Sequence, residues 1–244
     1  MIKNYLNDED IDLCIISETW LKDDYQAWID TNELNKDGYN MKTSHRQGRT
    51  GGGLACVYKQ RYKVKKKTSG EKRSFQYAVF HVQLNDADFI NAVGIYHPPP
   101  SKKNPPNSVF IDEFSKFLCD EIMQLGNFVL IGDFNIRIND QEDNDVIAFC
   151  DTLYALGLDQ HVTFPTNMQG NTVDLVFTEH LSKINILQCI QGPFFSDHCA
   201  VSCVTSITRR DIKQEKISYR KLKGINTPEL LKDIDLDKIV KGDN

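Results

Sequence analysis

The chain has 244 residues, of which 40% are hydrophobic and 26% charged, and carries a formal net charge of -5. That composition excludes intrinsic disorder and fibrous structure, and the acidic balance leaves any nucleic-acid contact to a local basic patch. The start, MIKNYLNDEDIDLCII, is charged where a signal peptide needs an apolar core, and no apolar run reaches the roughly 20 residues that span a bilayer. The chain is therefore expected to be intracellular, neither secreted nor embedded in a membrane.

Seven cysteines (Cys14, Cys56, Cys119, Cys150, Cys189, Cys199 and Cys203) form no CxxC pair and sit mostly inside apolar runs, so they read as buried, reduced thiols. Cys199 and Cys203 flank no second ligand pair of zinc spacing, although His198 is adjacent.

In chain order, IDLCIIS is a short strand followed at once by ETW, and GLACVYK is a second strand behind a triple glycine. GRTGGG lacks the lysine and Ser/Thr of a nucleotide-binding loop and reads as a tight turn. The stretch KQRYKVKKKTSGEKR packs eight basic residues and one acid between Lys59 and Arg73. It is either a solvated hairpin face or a contact for a DNA backbone, and Arg46, Arg49, Lys65, Lys66 and Lys67 are the candidate cations.

FQYAVFHVQL and DFINAVGIYH flank the turn NDA and predict a β-hairpin. HPPPSKKNPP must be a loop. SVFIDEFSKFLCDEIMQLG places Phe110, Ile111, Phe114, Phe117, Leu118 and Ile122 at helical spacing before a glycine stop. NFVLIGDFN is an apolar strand ending in an acidic turn, and NDVIAFCDTLYALGL is an amphipathic helix with Asn144 as its cap. TVDLVFT, INILQCI and CAVSCVTS are further strands. Strands outnumber helices and alternate with them, which suits two packed sheets with helices on the outer faces. From residue 206 the chain turns charged and reads as a tail or linker.

Acidic and polar residues recur at the ends of these strands: Glu18, Asp133, Asn135, Asp174, Asp197 and His198. Each alone has a structural reading, such as a surface turn or a solvent-facing strand position. Together they are the set that phosphodiester hydrolysis needs. Hard oxygen ligands hold a divalent cation, a base orients water, and a carboxylate fixes the histidine tautomer.

In this order SETW, RTGGGLACVY, GIYHPP, GDFN, GNTVDLVF and SDHCAVS resemble the endonuclease/exonuclease/phosphatase superfamily, specifically the apurinic-type endonuclease domain of non-LTR (LINE-type) retrotransposons. The resemblance covers residues 8–205 and implies a DNase I-like, four-layered α/β sandwich over residues 1–205, followed by a charged tail over 206–244. It implies a Mg²⁺-dependent phosphodiesterase, with Mn²⁺ as a substitute, that nicks duplex DNA and leaves a 3′-hydroxyl to prime reverse transcription. By motif, Glu18 and Asp197 are metal-proximal and Tyr96 contacts the scissile phosphate. Asp133 and Asn135 position nucleophile and phosphate, and Asp174 pairs with the catalytic His198. The domain is expected to be monomeric and nuclear, with a reverse transcriptase domain in the full-length element.

The family begins with a strand carrying an asparagine, whereas Met1 falls at what reads as the helix after it, so that strand is expected to be missing. Two other readings follow from the same residues. One is a phosphatase or phosphodiesterase acting on a small phosphate ester, and the other is an inactive DNA-binding remnant.

Overall fold

The computed structural model describes residues 2–21, 32, 34–46 and 51–207, all within the unit Met1–Thr208. Arg49 and the charged tail from residue 208 onward lie outside the described residues.

Alternation along one strand decides the layering. In β5 (Gln76–Gln83) Tyr77 and Val79 face one core, while Ala78, Phe80 and Val82 face another. A strand apolar on both faces must be covered on both, because successive side chains point to opposite sides. It pairs antiparallel with β4 (Lys63–Glu71) and β6 (Phe89–Tyr96), which gives the expected hairpin, and β6 runs parallel to β7 (Phe128–Asp133). With β9 (Asp174–Glu179) and β8 (Leu158–Gln160) these form a six-stranded sheet in the order β4-β5-β6-β7-β9-β8.

Two helices cover the outer face, α2 (Asn107–Phe117), which runs into a π-helical turn at Leu118–Ile122, and α3 (Asn144–Ala155). Their apolar stripes, Phe110, Phe114 and Phe117 on α2 with Val146, Phe149 and Leu153 on α3, close on Phe75, Phe128, Leu130 and Phe177. The cap of α3 is Asp143, whose carboxylate accepts from the Asp145 N–H at 2.8 Å, one residue before the expected Asn144.

The inner face packs against a second layer made of two sheets. β1 (Leu13–Ser17), β3 (Leu54–Lys59) and β2 (Tyr39–Ser44) run in the order β1-β3-β2, and β10 (Ile184–Phe194) pairs with β11 (Cys199–Ile207). Leu54, Cys56 and Tyr58 of β3 share this inner core with Ala78, Phe80 and Val129. The outer edge of β1 and that of β11 have no ladder partner among the described residues. A short helix, α1 (Ile2–Asp8), forms the fourth layer: Leu6 packs with Tyr39 and Val57, and the Tyr5 hydroxyl meets Ser202 Oγ on β11 at 2.6 Å. The fold is a four-layered α/β sandwich.

The thiols are less uniformly buried than the sequence suggests. Cys56 and Cys199 are buried, but Cys119 and Cys150 are exposed, because each falls on the solvent side of its helical stretch. Cys189 and Cys203 are register partners across β10 and β11, with sulfurs 2.9 Å apart.

Candidate active site

The strand register lays one transverse row across the large sheet. Glu71 pairs with Gln76, Gln76 with Tyr96, Tyr96 with Asp133, and Asp133 with Asp174. Directly paired residues point to the same face. Tyr96 belongs to the inner core, so the row opens toward the second layer. At a strand spacing of about 4.8 Å, Tyr96 and Asp174 stand roughly 10 Å apart, the scale of one phosphodiester with its flanking sugars.

The second layer brings the remaining residues to this row. Glu18 follows directly on β1 with a left-handed backbone, φ 52°. The triple glycine holds that turn: Thr19 N–H donates to Gly53 O at 3.3 Å and Trp20 N–H to Gly52 O at 3.0 Å. Gln76 Oε1 in turn accepts from Gly53 N–H at 2.8 Å, which ties the loop to the transverse row. A Cβ on Gly53 would lie 2.5 Å from Thr19 Oγ1, and φ there is +94°, so this approach requires glycine. The Tyr96 hydroxyl donates to Glu18 Oε1, and the Trp20 indole N–H donates to Oε2 at 3.3 Å. Burial, then the hydrogen bond to Glu18, push the Tyr96 phenol well above its ordinary range, so it stays protonated.

The turn after β7 is also left-handed at Asn135, φ 46°. Such backbone strain is retained where surrounding contacts over-determine it. Asn135 donates its amide to Asp133 Oδ2 at 3.0 Å and to His97 O at 2.8 Å, while its backbone N–H donates to Asp133 Oδ1 at 3.0 Å. His97 is buried and stacked on Phe110, with Nδ1 2.6 Å from Phe134 O. Burial lowers its pKa to about 4, so the ring is neutral and Nδ1–H donates to that carbonyl.

His198 precedes β11, and its Nδ1 lies 2.8 Å from Asp174 Oδ2. That hydrogen bond raises the imidazole to about 9, against the opposing effect of burial. Thr166 holds the pair: its buried hydroxyl accepts the N–H groups of Val173 and Asp174 at 3.0 Å each, and its carbonyl accepts from Cys199 N–H at 2.8 Å. Asp197 is exposed beside His198, and its carbonyl accepts from Met168 N–H at 2.9 Å.

Asp133 is buried, and burial first, then the Asp174 carboxylate, push it up to about 7, with His198 pulling the other way. A buried carboxylate whose bonded partners are Asn135 donors, with two more carboxylates acting on it, fits a divalent cation. Asp133, Asp174 and His198 offer ligand atoms within 4.8 Å of one another and form a group able to hold a metal. Glu18 and Asp197 stand outside that group.

The expected DNA-contacting cations are distributed differently. Arg46 is paired with Glu71 at 2.6 Å and lies close enough to lower the pKa of Tyr96. Lys65, Lys66 and Lys67 are exposed on β4, the edge strand of the large sheet, where a bulge interrupts the ladder between Lys66 and Thr68. Lys66 Nζ donates to Thr43 O at 2.7 Å. Gln76, His97 and Thr166 were not singled out by the sequence. Gln76 and His97 meet partners far along the chain, Gly53 and Phe134, whereas the Thr166 hydroxyl meets Val173 and Asp174 across a local loop.

The model of the endonuclease/exonuclease/phosphatase family matches residues 1–198. None of the curated proteins matches the sequence significantly. Among solved structures, the endonuclease domain of TRAS1, a telomere-specific non-LTR retrotransposon, is 16% identical with a TM-score of 0.59, covering 82% of this chain and 88% of that one. The D. rerio TDP2 complexed with single-strand DNA product is 12% identical at a TM-score of 0.56, over 84% of this chain and 90% of that one. ANGEL2, a 2′,3′-cyclic phosphatase in complex with adenosine-2′,3′-vanadate, is 13% identical at 0.54, over 83% and 76% respectively.

Proposed function

Because the chain belongs to the endonuclease/exonuclease/phosphatase family, we propose that it is a Mg²⁺-dependent endonuclease that nicks one strand of duplex DNA. The observation that carries this reading is the transverse row, with Tyr96, Asp133 and Asp174 in register and Glu18 and His198 brought against it from the other layer.

Asp133, fixed by the Asn135 donors at the end of β7, orients the attacking water and takes its proton. His198, oriented by its Nδ1 hydrogen bond to Asp174, stabilises charge on the phosphoryl oxygens as an imidazolium and in that state is not a ligand of the ion. When substrate binds, the Tyr96 O–H turns from Glu18, and one Asn135 amide N–H turns from Asp133, to donate to phosphoryl oxygens and orient the phosphate. The water oxygen forms a bond to phosphorus, the bond from phosphorus to O3′ breaks, and O3′ takes up a proton from a solvent water to leave a 3′-hydroxyl. Glu18 and the Asp133–Asp174 carboxylates would hold Mg²⁺, or Mn²⁺ in its place, and the ion would supply charge neutralisation at the phosphoryl and leaving oxygens. Asp197, on the exposed side, would add negative charge for that ion.

The duplex reading draws on β4. Lys67 stands four residues from Glu71, which neighbours the site through Arg46, so the exposed lysines begin about 13 Å along the strand. That is the reach of a few nucleotides of backbone, and it matches a nuclease better than an enzyme for a small ester. An additional strand of the kind the resemblance calls for would find its ladder partners on the free edges of β1 and β11. A place in retrotransposition, a reverse transcriptase partner and a nuclear site follow from the same reading.

Competition tests the substrate. A labelled duplex is cut in Mg²⁺, and excess unlabelled duplex, but not excess inositol phosphate, suppresses the cut. Suppression by the small ester at equal concentration would reverse the assignment of substrate.

A further inference from the structure

One large apolar group at the site has no place in the scheme above. Trp20 is 62% exposed, among the most exposed large hydrophobic residues described. Its backbone is left-handed, φ 55°, a conformation that a bulky residue adopts only when other contacts impose it. The contact that imposes it is the Trp20 N–H to Gly52 O hydrogen bond of 3.0 Å, and the benzo edge of the indole lies 3.7 Å from where a Gly51 Cβ would stand. A structural aromatic would be turned inward. Here the fold spends strain to hold the ring outside.

The polar tip is engaged at the same time. The indole N–H donates to Glu18 Oε2 at 3.3 Å while Tyr96 holds Oε1, so both oxygens of that carboxylate have a partner. This fixes the ring at the rim of the cleft, beside Glu18. Indole is a flat, sequence-tolerant platform for a nucleobase, and each base stacked on an aromatic side chain is worth about 1–3 kcal/mol.

We propose that Trp20 is a nucleobase-binding residue: its N–H positions Glu18, and its exposed face stacks an unpaired base next to the scissile phosphate. The inference rests on the phosphodiesterase reading for what the base is attached to. The ligand class is a single-stranded or locally opened deoxynucleotide.

Binding is measured by tryptophan fluorescence in EDTA, so that no turnover is needed. The probes are a thymidine oligonucleotide of about ten nucleotides and the same backbone without bases. Wild-type fluorescence is quenched by the first and not by the second, and Trp20→Phe removes the quenching signal. In fluorescence anisotropy of the dye-labelled oligonucleotide, which does not depend on the indole, Trp20→Phe keeps the stacking ring and holds affinity within about threefold, whereas Trp20→Leu weakens it about tenfold. Both variants slow hydrolysis of bis(p-nitrophenyl) phosphate to the same degree, because both lack the N–H to Glu18. Equal quenching by the baseless backbone, or equal affinity of the Leu and wild-type chains, overturns the proposal. If quenching persists and nothing is hydrolysed, the phosphodiesterase reading fails instead.

Discussion

Thr166→Val removes one oxygen and almost no volume, yet it strips two backbone N–H groups, the buried one of Val173 and the half-buried one of Asp174, of their acceptor. Thr166 is fully buried, so water does not replace the hydroxyl. A buried donor left unpaired costs about 1–3 kcal/mol, which puts the two together at about 2–6 kcal/mol. Gain from burying a methyl in place of a hydroxyl and local relaxation bring the expected net loss to about 3 kcal/mol. For a unit of this size that lowers Tm by about 6–12 °C, as read by circular dichroism. Thr166→Ser keeps the oxygen and recovers most of the loss. The Val variant also frees Asp174 from its place, so nicking falls further than the Tm alone explains. A Val variant as stable as wild type, or a Ser variant no better than Val, would refute the assignment of Thr166 as the support of the Asp174–His198 pair.

Three further changes probe other parts of the site. Tyr96→Phe deletes the hydroxyl that donates to Glu18 in the free chain and to the phosphate in the complex while keeping the buried ring, and should lower kcat about a hundredfold with Tm nearly unchanged, as steady-state nicking would show. Asp174→Asn should drop the His198 pKa from about 9 toward its ordinary range, followed by NMR of the imidazole. Because the folded-state value is raised, the pair's stabilisation is complete below about pH 6.5 and is lost as pH rises through about 9. The Tm gap between wild type and this variant should therefore be wider near pH 6 than near pH 10, and a constant gap would contradict the pairing. Gly132→Ala places a Cβ 1.9 Å from Ile95 O, an overlap that forces β6 and β7 apart, and is expected to prevent soluble expression.

Much of the fold was legible because its strands are buried on both faces. FQYAVFHVQL, NFVLIGDFN and TVDLVFT are apolar runs too short for helices, and each became a central strand. YNMKTS and LDQ carry no such run, and β2 and β8 form only because a neighbouring strand offers them a ladder. Glu18, Asp133, Asn135, Asp174 and His198 were visible as polar ends of apolar strands. The Asp174–His198 pair came with the motif resemblance, but the row that sets Tyr96, Asp133 and Asp174 side by side did not, since register across strands is long-range information. Gln76 and Thr166 were invisible for a related reason: their partners, Gly53 and Asp174, lie 23 and 8 residues away and touch them only after folding. Lys65 to Lys67 illustrate the opposite limit. Lysines and a bulge on an edge strand also deter sheet-to-sheet association, so their charge alone does not identify a ligand.

The central claim is hydrolysis at the Asp133–His198 group, and nicking of supercoiled plasmid tests it most directly. The chain is assayed with Mg²⁺ and with EDTA, beside Asp133→Asn and His198→Ala, each shown by circular dichroism to be folded. The account predicts conversion to the open circle by the wild-type chain in Mg²⁺ alone, and loss of that conversion in both variants. Nicking that survives in either folded variant, or a folded wild-type chain that binds DNA and cuts nothing at any Mg²⁺ or Mn²⁺ concentration, would contradict it.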